Sequence, residues 1–498
     1  MAIVKRIVVL LLLALVALAA VVGIKTWRTP SRQVAVEPLQ KAPVDAQAVA
    51  GRLSGAVRFK TISSLEDPQA NAAEFQKLHA YLREQFPALH GVMKLEEPGD
   101  NALIYVWPGS DPKAKPIALM AHQDVVPIAS GTEDKWSVEP FAGTIKDGYV
   151  WGRGAWDDKG NLLAQMESLE MLAKAGFRPQ RTIYLISGAD EEVGGHRGAE
   201  RIAKRLKEQG VHFAWIIDEG LLVTEGVMPG LTKPAALVGV AEKGYASFKL
   251  KLNATPGHSS MPPLHGSAIG QMGGALARLE SQQMPATLGG SVAGSMFDAL
   301  APEMEGFGRV ALSNLWLFGP VVQKQLEASP ASNAMLRTTT ALTIINGGNK
   351  DNVIPGYVEA TVNFRVLPGD TLASVQEHVH KVVGNDAIKV EPYPGNAEPS
   401  PVSPMDAPGY AAIQKTIRQV FPEGVVAPGL MLGATDGRHM DGISDAVYRF
   451  SPVRARPEDL PRFHGTNERI AIDNYVEMIQ FYHQLLRNAG ASSAASPG

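Results

Sequence analysis

The most informative absence in this sequence of 498 residues is cysteine, which does not occur at all. That absence excludes disulfide bonds, a thiolate nucleophile and any metal centre with thiolate ligands. A metal ion bound by this chain would therefore have only nitrogen and oxygen ligands. Charge is also scarce, since 19% of the residues are charged and the formal net charge is −3. Such a balance offers no basic surface, so we expect no nucleic-acid partner.

Two catalytic signatures are missing as well. The chain contains no Gly-x-Ser-x-Gly sequence, which argues against a serine hydrolase with a nucleophile elbow. It also contains no His-Glu-x-x-His sequence, which argues against a one-zinc protease of that type. What is present is a hydrophobic fraction of 45% with 49 glycines and 35 prolines, which is typical of a globular enzyme rich in loops. The length predicts more than one domain.

The first 28 residues differ from the rest of the chain. Lys5 and Arg6 precede an uncharged apolar run at 7–24, and Lys25 and Arg28 follow it. Eighteen such residues are long for the core of a signal peptide and just enough to span a bilayer. We therefore predict an uncleaved signal anchor with an exported body, periplasmic or extracellular; the alternative is a secreted body after signal cleavage.

Beyond the anchor, the pattern predicts an α/β domain with a mostly parallel central sheet. From residue 48 onward, short apolar runs alternate with helical patterns. Residues 29–47 are predicted to form a linker, and residues 489–498 a disordered tail. Two alternating stretches, 245–252 and 358–366, are typical of antiparallel strands. We therefore predict an inserted α+β domain at 244–363, which separates the two parts of the main domain, 48–243 and 364–488.

Polar residues with metal-binding capacity follow the predicted buried strands at 117–121, 182–187 and 213–217. Open α/β sheets carry their functional sites at such carboxyl ends. The residues concerned are His122, Asp190, Glu191, Glu192, Asp218 and Glu219. Two further candidates are Asp157, in a glycine-rich segment that opens a helix, and the late His464.

Each of these segments has an ordinary explanation when it is considered alone, such as a helix N-cap for Asp157 or a solvated acidic turn for 190–192. Their joint order is harder to explain by independent structural roles. A histidine at a strand end, a carboxylate able to bridge, paired glutamates, a further acid and a late histidine provide two sets of ligands that suit zinc. Adjacent carboxylates also raise one another's pKa unless cations neutralise them.

The chain resembles the aminoacylase, carboxypeptidase S and carnosine-dipeptidase family of zinc peptidases. The resemblance extends from about residue 50 to 488, and the matching segments are 121–127, 152–160, 190–195, 256–260 and 464–468. Within that family the chain is most similar to the carboxypeptidase S branch, which includes the N-fatty-acyl-amino-acid synthase/hydrolases. Residues 333–340 and 350–355 carry this second likeness.

The resemblance implies a zinc-peptidase domain, an inserted lid domain of the dimerisation type and two zinc ions per subunit. The implied ligands are His122, Asp157, Glu192, His464 and one of Asp218 and Glu219. Asp157 would bridge the two ions. The motif leaves the choice between Asp218 and Glu219 open by one residue, with Asp218 preferred.

The resemblance also implies roles outside the metal ligands. Glu191 would be the general base, and Asp124 would orient His122. His258, on the lid, would stabilise the developing oxyanion; in dimeric relatives the partner subunit supplies this histidine, so a homodimer is possible. Arg438 would bind the carboxylate of the substrate, with Asn352 and Arg365 as weaker candidates.

These implications together give an expected function. The chain would cleave an amide or peptide bond next to a free C-terminal carboxylate, with metal-activated water and Glu191 as base. Its substrates would be small peptides or N-acyl amino acids. The competing hypothesis is a catalytically inactive exported protein that binds the same compounds.

Overall fold

The structure is a computed structural model that describes residues 1–490. Residues 489 and 490 belong to the last helix, so that part of the predicted tail is helical. The rest of the predicted tail lies outside the described residues.

The described chain consists of helices and strands in mixed order. The helices are α1 (Ala2–Arg28), α2 (Ala46–Val57), α3 (Ala72–Gln85), α4 (Pro87–Val92), α5 (Lys159–Lys174), α6 (Ala199–Glu208), α7 (Ala268–Ser281), α8 (Val292–Leu300), α9 (Gly306–Ser313), α10 (Leu315–Glu327), α11 (Pro330–Leu336), α12 (Leu372–Val383), α13 (Pro408–Val420) and α14 (Ile472–Gly490). The strands are β1 (Lys94–Gly99), β2 (Ala102–Trp107), β3 (Ile117–Met120), β4 (Thr144–Lys146), β5 (Tyr149–Trp151), β6 (Ile183–Ser187), β7 (Trp215–Thr224), β8 (Ala235–Glu242), β9 (Gly244–Asn253), β10 (Gly257–His258), β11 (Thr339–Gly347), β12 (Val353–Ile354), β13 (Tyr357–Val366), β14 (Ile388–Pro392), β15 (Val425–Met431), β16 (Val447–Ala455) and β17 (Arg469–Ala471).

The large sheet has eight strands in the order β1-β2-β6-β3-β7-β16-β8-β15. Its central strands β6, β3, β7 and β16 run parallel, as do β8 and β15. The β1–β2 hairpin adds an antiparallel edge. The antiparallel pairing of β16 with β8 also makes the sheet mixed, but most of its neighbouring strands run parallel, as predicted.

Helices cover both faces of the large sheet. On one face, α5 and α14 bury apolar residues such as Leu162, Leu169, Met478 and Leu485. On the other face, α6 buries Ile202 and Leu206 against the strands. Since both faces are covered, a cavity that admits a substrate is expected at the strand ends.

A smaller antiparallel sheet, in the order β11-β13-β9-β14, forms a second core with α7 and α12. It begins at Gly244, where the insertion is predicted to start. It continues past the predicted boundary at 363, which falls inside β13, because β14 pairs with β9 as far as Pro392. Helix α8 lies in the predicted insertion but packs instead on β15 of the large sheet, where Met296 and Phe297 share a core with Val425.

At the N-terminus, α1 is the one helix of the described residues that is long and apolar enough to cross a membrane, and none of its residues is buried. The segment that follows differs from the predicted free linker at 29–47. The Gln33 side chain donates to the Val426 carbonyl (3.0 Å) and accepts from the Val426 N–H (2.8 Å). Further along, Ala42 exchanges two hydrogen bonds with the Gln480 side chain. Residues 29–45 are thus attached to the body, and α2 already begins at Ala46.

Candidate active site

The predicted metal-binding residues meet at the carboxyl end of the central parallel strands. His122 follows β3, and Glu191 and Glu192 lie in a short helical turn after β6. Asp157 stands just before α5, whereas His464 comes from the loop between β16 and β17. These five positions are separated widely in sequence and are brought together by the topology of the sheet.

Asp157 is the geometric centre of this group. Its Oδ1 lies 3.1 Å from His122 Nε2, and its Oδ2 lies 2.7 Å from His464 Nε2. Glu192 Oε2 lies 3.2 Å from the same His464 nitrogen. The two oxygen atoms of Asp157 therefore face two different imidazoles, as a carboxylate that bridges two cations would.

The structure distinguishes Glu219 from Asp218. Glu219 Oε1 lies 3.4 Å from His122 Nε2. Asp218 instead accepts hydrogen bonds from the backbone N–H groups of Glu219 (2.9 Å) and Gly437 (2.6 Å). The geometry therefore favours Glu219 over Asp218, the residue preferred from the sequence, as a ligand beside His122. Both residues also lie inside β7 and not behind its end, because the strand runs on to Thr224.

The donor atoms suit metal ions. His122 and Glu219 form one compact group with Asp158, and His122 forms another with Asp157 and Glu192; within each group the ligand atoms lie within 4.8 Å of one another. Glu192 Oε1 is buried and has no hydrogen-bond partner. A buried carboxylate oxygen without a partner is costly, and a cation would satisfy it.

Asp124 organises two of these segments. The Nδ1 atom of His122 lies 3.0 Å from the Asp124 backbone oxygen and 3.4 Å from its Oδ1. The same carboxylate accepts the backbone N–H groups of Glu191 and Glu192, each at 3.1 Å, and the Ser63 hydroxyl at 2.7 Å. Asp124 therefore contacts the imidazole through its backbone and side chain and also fixes the turn that carries both glutamates.

The electrostatics reflect the crowding of carboxylates. Burial and the nearby Asp157 raise the pKa of Glu219 to about 8, although His122 opposes this rise. Burial and the charge of Glu219 also raise the pKa of Glu191 well above its usual value. Hydrogen bonds to Asp157 and Glu192 raise the pKa of His464 to about 10. Like charges in a buried space favour bound protons or metal cations.

A cavity of about 340 Å³ opens onto this cluster. Glu191 lines its wall and lies 4.0 Å from His122 Nε2. Arg438 and Arg365 also line it, the first from the helical turn at 436–443 and the second from β13 of the smaller sheet. Arg438 donates to the Gly194 carbonyl (2.9 Å), and the Arg365 guanidinium lies 5.1 Å from the Tyr245 ring centre.

Two predicted site residues lie elsewhere. His258 and Asn352 are exposed, and neither lines the cavity. They are neighbours at a separate two-stranded sheet, in which β10 pairs with β12, and the Ser259 N–H donates to the Asn352 carbonyl (3.1 Å). His258 Nδ1 lies 2.8 Å from the Ser260 hydroxyl. The structure does not bring either residue to the metal-binding cluster.

Glu468, for which no role is predicted from the sequence, is fully buried. One of its oxygens accepts the backbone N–H groups of Gly154 (2.9 Å), Trp156 (2.9 Å) and Asp157 (3.1 Å), and the other accepts from Arg153 (2.6 Å). It therefore fixes the loop that presents Asp157. Its position in a matching segment was the only signal in the sequence.

Two further residues were also missed. Asp158 accepts the His122 backbone N–H (3.2 Å) and the Asn161 amide (2.5 Å), so it supports the ligands from below. Phe463 stacks on the His464 ring, with centroids 4.6 Å apart and planes 15° apart. Asp158 directly follows Asp157, and a doubled aspartate in a helix-opening segment was a signal that could have found it.

Comparisons with known proteins point to one family of peptidases. The model of peptidase family M20/M25/M40 matches residues 118–488. The chain is 41% identical over 484 residues to a probable carboxypeptidase S-like protein of Dictyostelium discoideum, which covers 95% of this chain and 92% of that protein. It is 38% identical over 497 residues to an N-fatty-acyl-amino acid synthase/hydrolase of Xenopus tropicalis, and this match covers 98% of this chain and 95% of that protein.

A solved structure shares the fold. The M20 family metallo-carboxypeptidase of Sulfolobus solfataricus superposes with a TM-score of 0.64 at 18% identity. The match covers 89% of this chain and 99% of that one. The likeness therefore includes the whole peptidase architecture and not the large sheet alone.

Proposed function

This chain belongs to peptidase family M20/M25/M40, and on that premise we propose that it is a di-zinc hydrolase that cleaves an amide or peptide bond next to a free carboxylate. Membership makes it an enzyme of the metal-dependent peptidase and amidohydrolase type. Its relatives are named for carboxypeptidase and N-fatty-acyl-amino acid chemistry, so its substrates would be small peptides or N-acyl amino acids. The observation that carries the proposal is Asp157, whose oxygens each face a different histidine.

The ligands divide into two sets that share Asp157. His122 and Glu219 would hold one ion, and His464 and Glu192 the other. Imidazole and carboxylate ligands without cysteine suit zinc among the common divalent metals. Two zinc ions would supply Lewis-acid chemistry, that is, activation of a water molecule and polarisation of the scissile carbonyl group.

Glu191 would move the proton. Its carboxylate lines the cavity, and Asp124 holds its backbone N–H, so its position is fixed. A glutamate whose pKa is raised by burial can accept a proton from water and return it to the leaving amine. The amide bond then breaks to give a carboxylic acid and a free amine, and Glu191 returns to its ionised form.

Arginine side chains would select the substrate. Arg438 reaches the cavity from the helical turn at 436–443 and Arg365 from β13, and a guanidinium can bind both oxygens of a carboxylate. Recognition of a terminal carboxylate would direct cleavage to the adjacent amide bond. Asn352 is exposed just before β12 and would contribute only after a movement of that segment towards the cavity.

The smaller sheet would act as a lid. It carries Arg365 at the cavity, and the exposed β10–β12 pair, which lies between β9 and β13 in the chain, carries His258. Closure, or pairing with a second subunit, would bring a His258 imidazole to the oxyanion and exclude water from the reaction. Helix α1 would anchor this exported enzyme in a membrane, and cleavage after α1 would release it.

The experiment is a matched substrate panel on the zinc-loaded full chain. It compares dipeptides with N-fatty-acyl amino acids, each as the free acid and as the C-terminal amide. We expect hydrolysis of free acids and little hydrolysis of amides. Equal turnover of acids and amides would refute carboxylate recognition. A protein with two bound metal ions that hydrolyses none of them would instead be a binding protein.

A further inference from the structure

Helices α9 and α10 present an unusual apolar surface to solvent. Phe307 is 69% exposed, Trp316 52% and Val321 68%, and none of the residues of α10 is buried. The Phe307 and Phe318 rings contact each other edge to face, with centroids 5.6 Å apart. Exposed apolar clusters of this kind mark a surface that another phase or molecule covers. We call Phe307, Trp316, Phe318 and Val321 the apolar surface.

The apolar surface lies next to the end of α1. The Asn314 side chain, between α9 and α10, donates to the Thr26 hydroxyl (2.9 Å) and to the Val22 carbonyl (3.4 Å). The Lys25 ammonium lies 5.8 Å from the Trp316 ring centre. The two helices are thus attached to the last two turns of the apolar helix.

The position of the last turns of α1 indicates what covers the apolar surface. The apolar run of α1 ends at residue 24, and Lys25 and Arg28 follow at the point where a membrane-spanning helix meets the lipid headgroups. Aromatic residues are enriched at this depth because they have an apolar body and a polar edge. Trp27, 79% exposed, lies there too. A surface fixed to this turn is held at the level of the headgroups.

We propose that the α9–α10 pair is a second membrane contact, which lies in the bilayer interface beside α1. The proposal rests on α1 spanning a membrane and is independent of the metal chemistry. Apolar residues would enter the boundary between headgroups and acyl chains, as they do in interfacial helices. Lys324 is exposed on α10, and its charge would remain among the lipid phosphates.

This contact would fix the orientation of the body. Helix α8 packs on β15, and residues 29–45 are hydrogen-bonded to the same part of the large sheet. The membrane helix, the apolar surface and the sheet that carries the active site therefore form one connected unit. An enzyme held in this way has one face towards the lipid and cannot rotate freely on a tether.

The absence of cysteine makes a direct test simple. Val321→Cys introduces a single thiol into the full chain, which is labelled with a nitroxide and reconstituted into phosphatidylcholine vesicles. Collision rates with oxygen, which dissolves in lipid, and with a nickel chelate, which stays in water, then report the depth of the label. We expect the label at 321 to collide several-fold more often with oxygen than with the chelate.

Two matched variants complete the experiment. Lys389→Cys, on the exposed side of the smaller sheet, should show the opposite preference, and Leu12→Cys should report the bilayer interior. A water-exposed label at 321 together with a lipid-exposed label at 12 would overturn the second contact. A water-exposed label at 12 would overturn the anchor and the second contact together. Hydrolytic activity, measured on the same samples, remains a separate result.

Discussion

At the scale of single residues, the neighbouring glutamates 191 and 192 have different surroundings. Glu192 Oε2 contacts His464 at 3.2 Å, whereas Glu191 lines the cavity and approaches His122 only to 4.0 Å. Asp124 accepts both backbone N–H groups, which fixes the turn and keeps each glutamate side chain in its own position. One glutamate is therefore suited to metal binding and the other to proton transfer.

Glu191→Gln should separate these two roles. The amide keeps the shape of the side chain but cannot accept the proton, so we expect kcat to fall by about 10²–10⁴-fold. Metal content, measured by mass spectrometry of the purified protein, should remain at two ions per chain. Glu208→Gln, an exposed change at the end of α6, is the control and should leave both values unchanged. Near-normal turnover in a metal-loaded Glu191→Gln variant would contradict the assignment.

Glu219 and Asp218 can be distinguished by metal content. Glu219→Gln removes an anionic ligand next to His122, and we expect the loss of up to one zinc ion per chain. Asp218→Asn should keep both ions, because the Asp218 carboxylate accepts the backbone N–H groups of Glu219 and Gly437. Loss of metal from Asp218→Asn alone would instead identify Asp218 as the ligand.

Arg438→Ala should lower activity on substrates with a free carboxylate more than activity on their amides. A charge-assisted hydrogen bond is worth about 1.5–3 kcal/mol, which corresponds to roughly 10- to 150-fold in kcat/KM. We expect this loss for substrates with a free carboxylate and a much smaller loss for their amides. Arg365→Ala, on the other wall of the cavity, is the matched comparison. Equal losses on acids and amides in both variants would exclude carboxylate recognition by either arginine.

The choice between Asp218 and Glu219 shows where residue-level prediction ends. Successive side chains of a strand point to opposite sides, and the sequence does not state which side faces the site. The segments around His122, Asp157, Glu191 and His464 were easier, because each stands in a turn whose neighbours match a known motif. Nothing in the sequence indicated that Glu468 would be buried below Asp157.

At the scale of elements, the loop before α5 depends on that buried carboxylate. Glu468 binds three backbone N–H groups of the loop and the buried Arg153 guanidinium. Glu468→Ala leaves the arginine charge without its partner, and breaking such a buried pair typically costs about 3–5 kcal/mol. We expect a large fall in Tm and weaker zinc binding. Glu458→Ala, an exposed change in the neighbouring loop, is the control for thermal unfolding.

Element prediction succeeded where periodicity was strong. The strands that lead to His122 and Glu191 and the helix that ends the domain were all expected, because apolar runs at strand or helix spacing determine them. The end of the insertion was not found. Strand β14 is short and half exposed, so its sequence lacks the alternation of β9 and β13. Which sheet α8 would pack against is a tertiary choice that its own sequence does not contain.

At the scale of the whole molecule, metal binding and pH should be coupled. A buried carboxyl whose pKa is higher in the folded chain binds protons more tightly when folded, so the metal-free fold loses stability as pH rises. For Glu219 this loss of stability falls between its ordinary pKa of 4.5 and its pKa of about 8 in the folded chain. The pKa of His464 is raised from 6.5 to about 10, so His464 adds a loss in the same direction above pH 6.5. Bound zinc ions would take the place of those protons, so the zinc-loaded fold would not lose this stability as pH rises.

Thermal unfolding with and without a chelator tests this coupling. The difference in Tm between the zinc-loaded and the chelated protein should widen from pH 5 to pH 8. A difference that narrows over this range would show that the carboxylate cluster is not the metal site.

The attachment of Gln33 has a consequence for how this protein can mature. Strand β15 is the outermost strand of the large sheet, and the Gln33 amide occupies both main-chain groups of Val426 on its open side. An uncovered edge strand is a template for aggregation. A protease that cuts between α1 and Gln33 would leave this cover in place, whereas a cut between Gln33 and Ala46 would remove it. We therefore expect a form released by a cut before Gln33 to aggregate less than a form released by a cut after it.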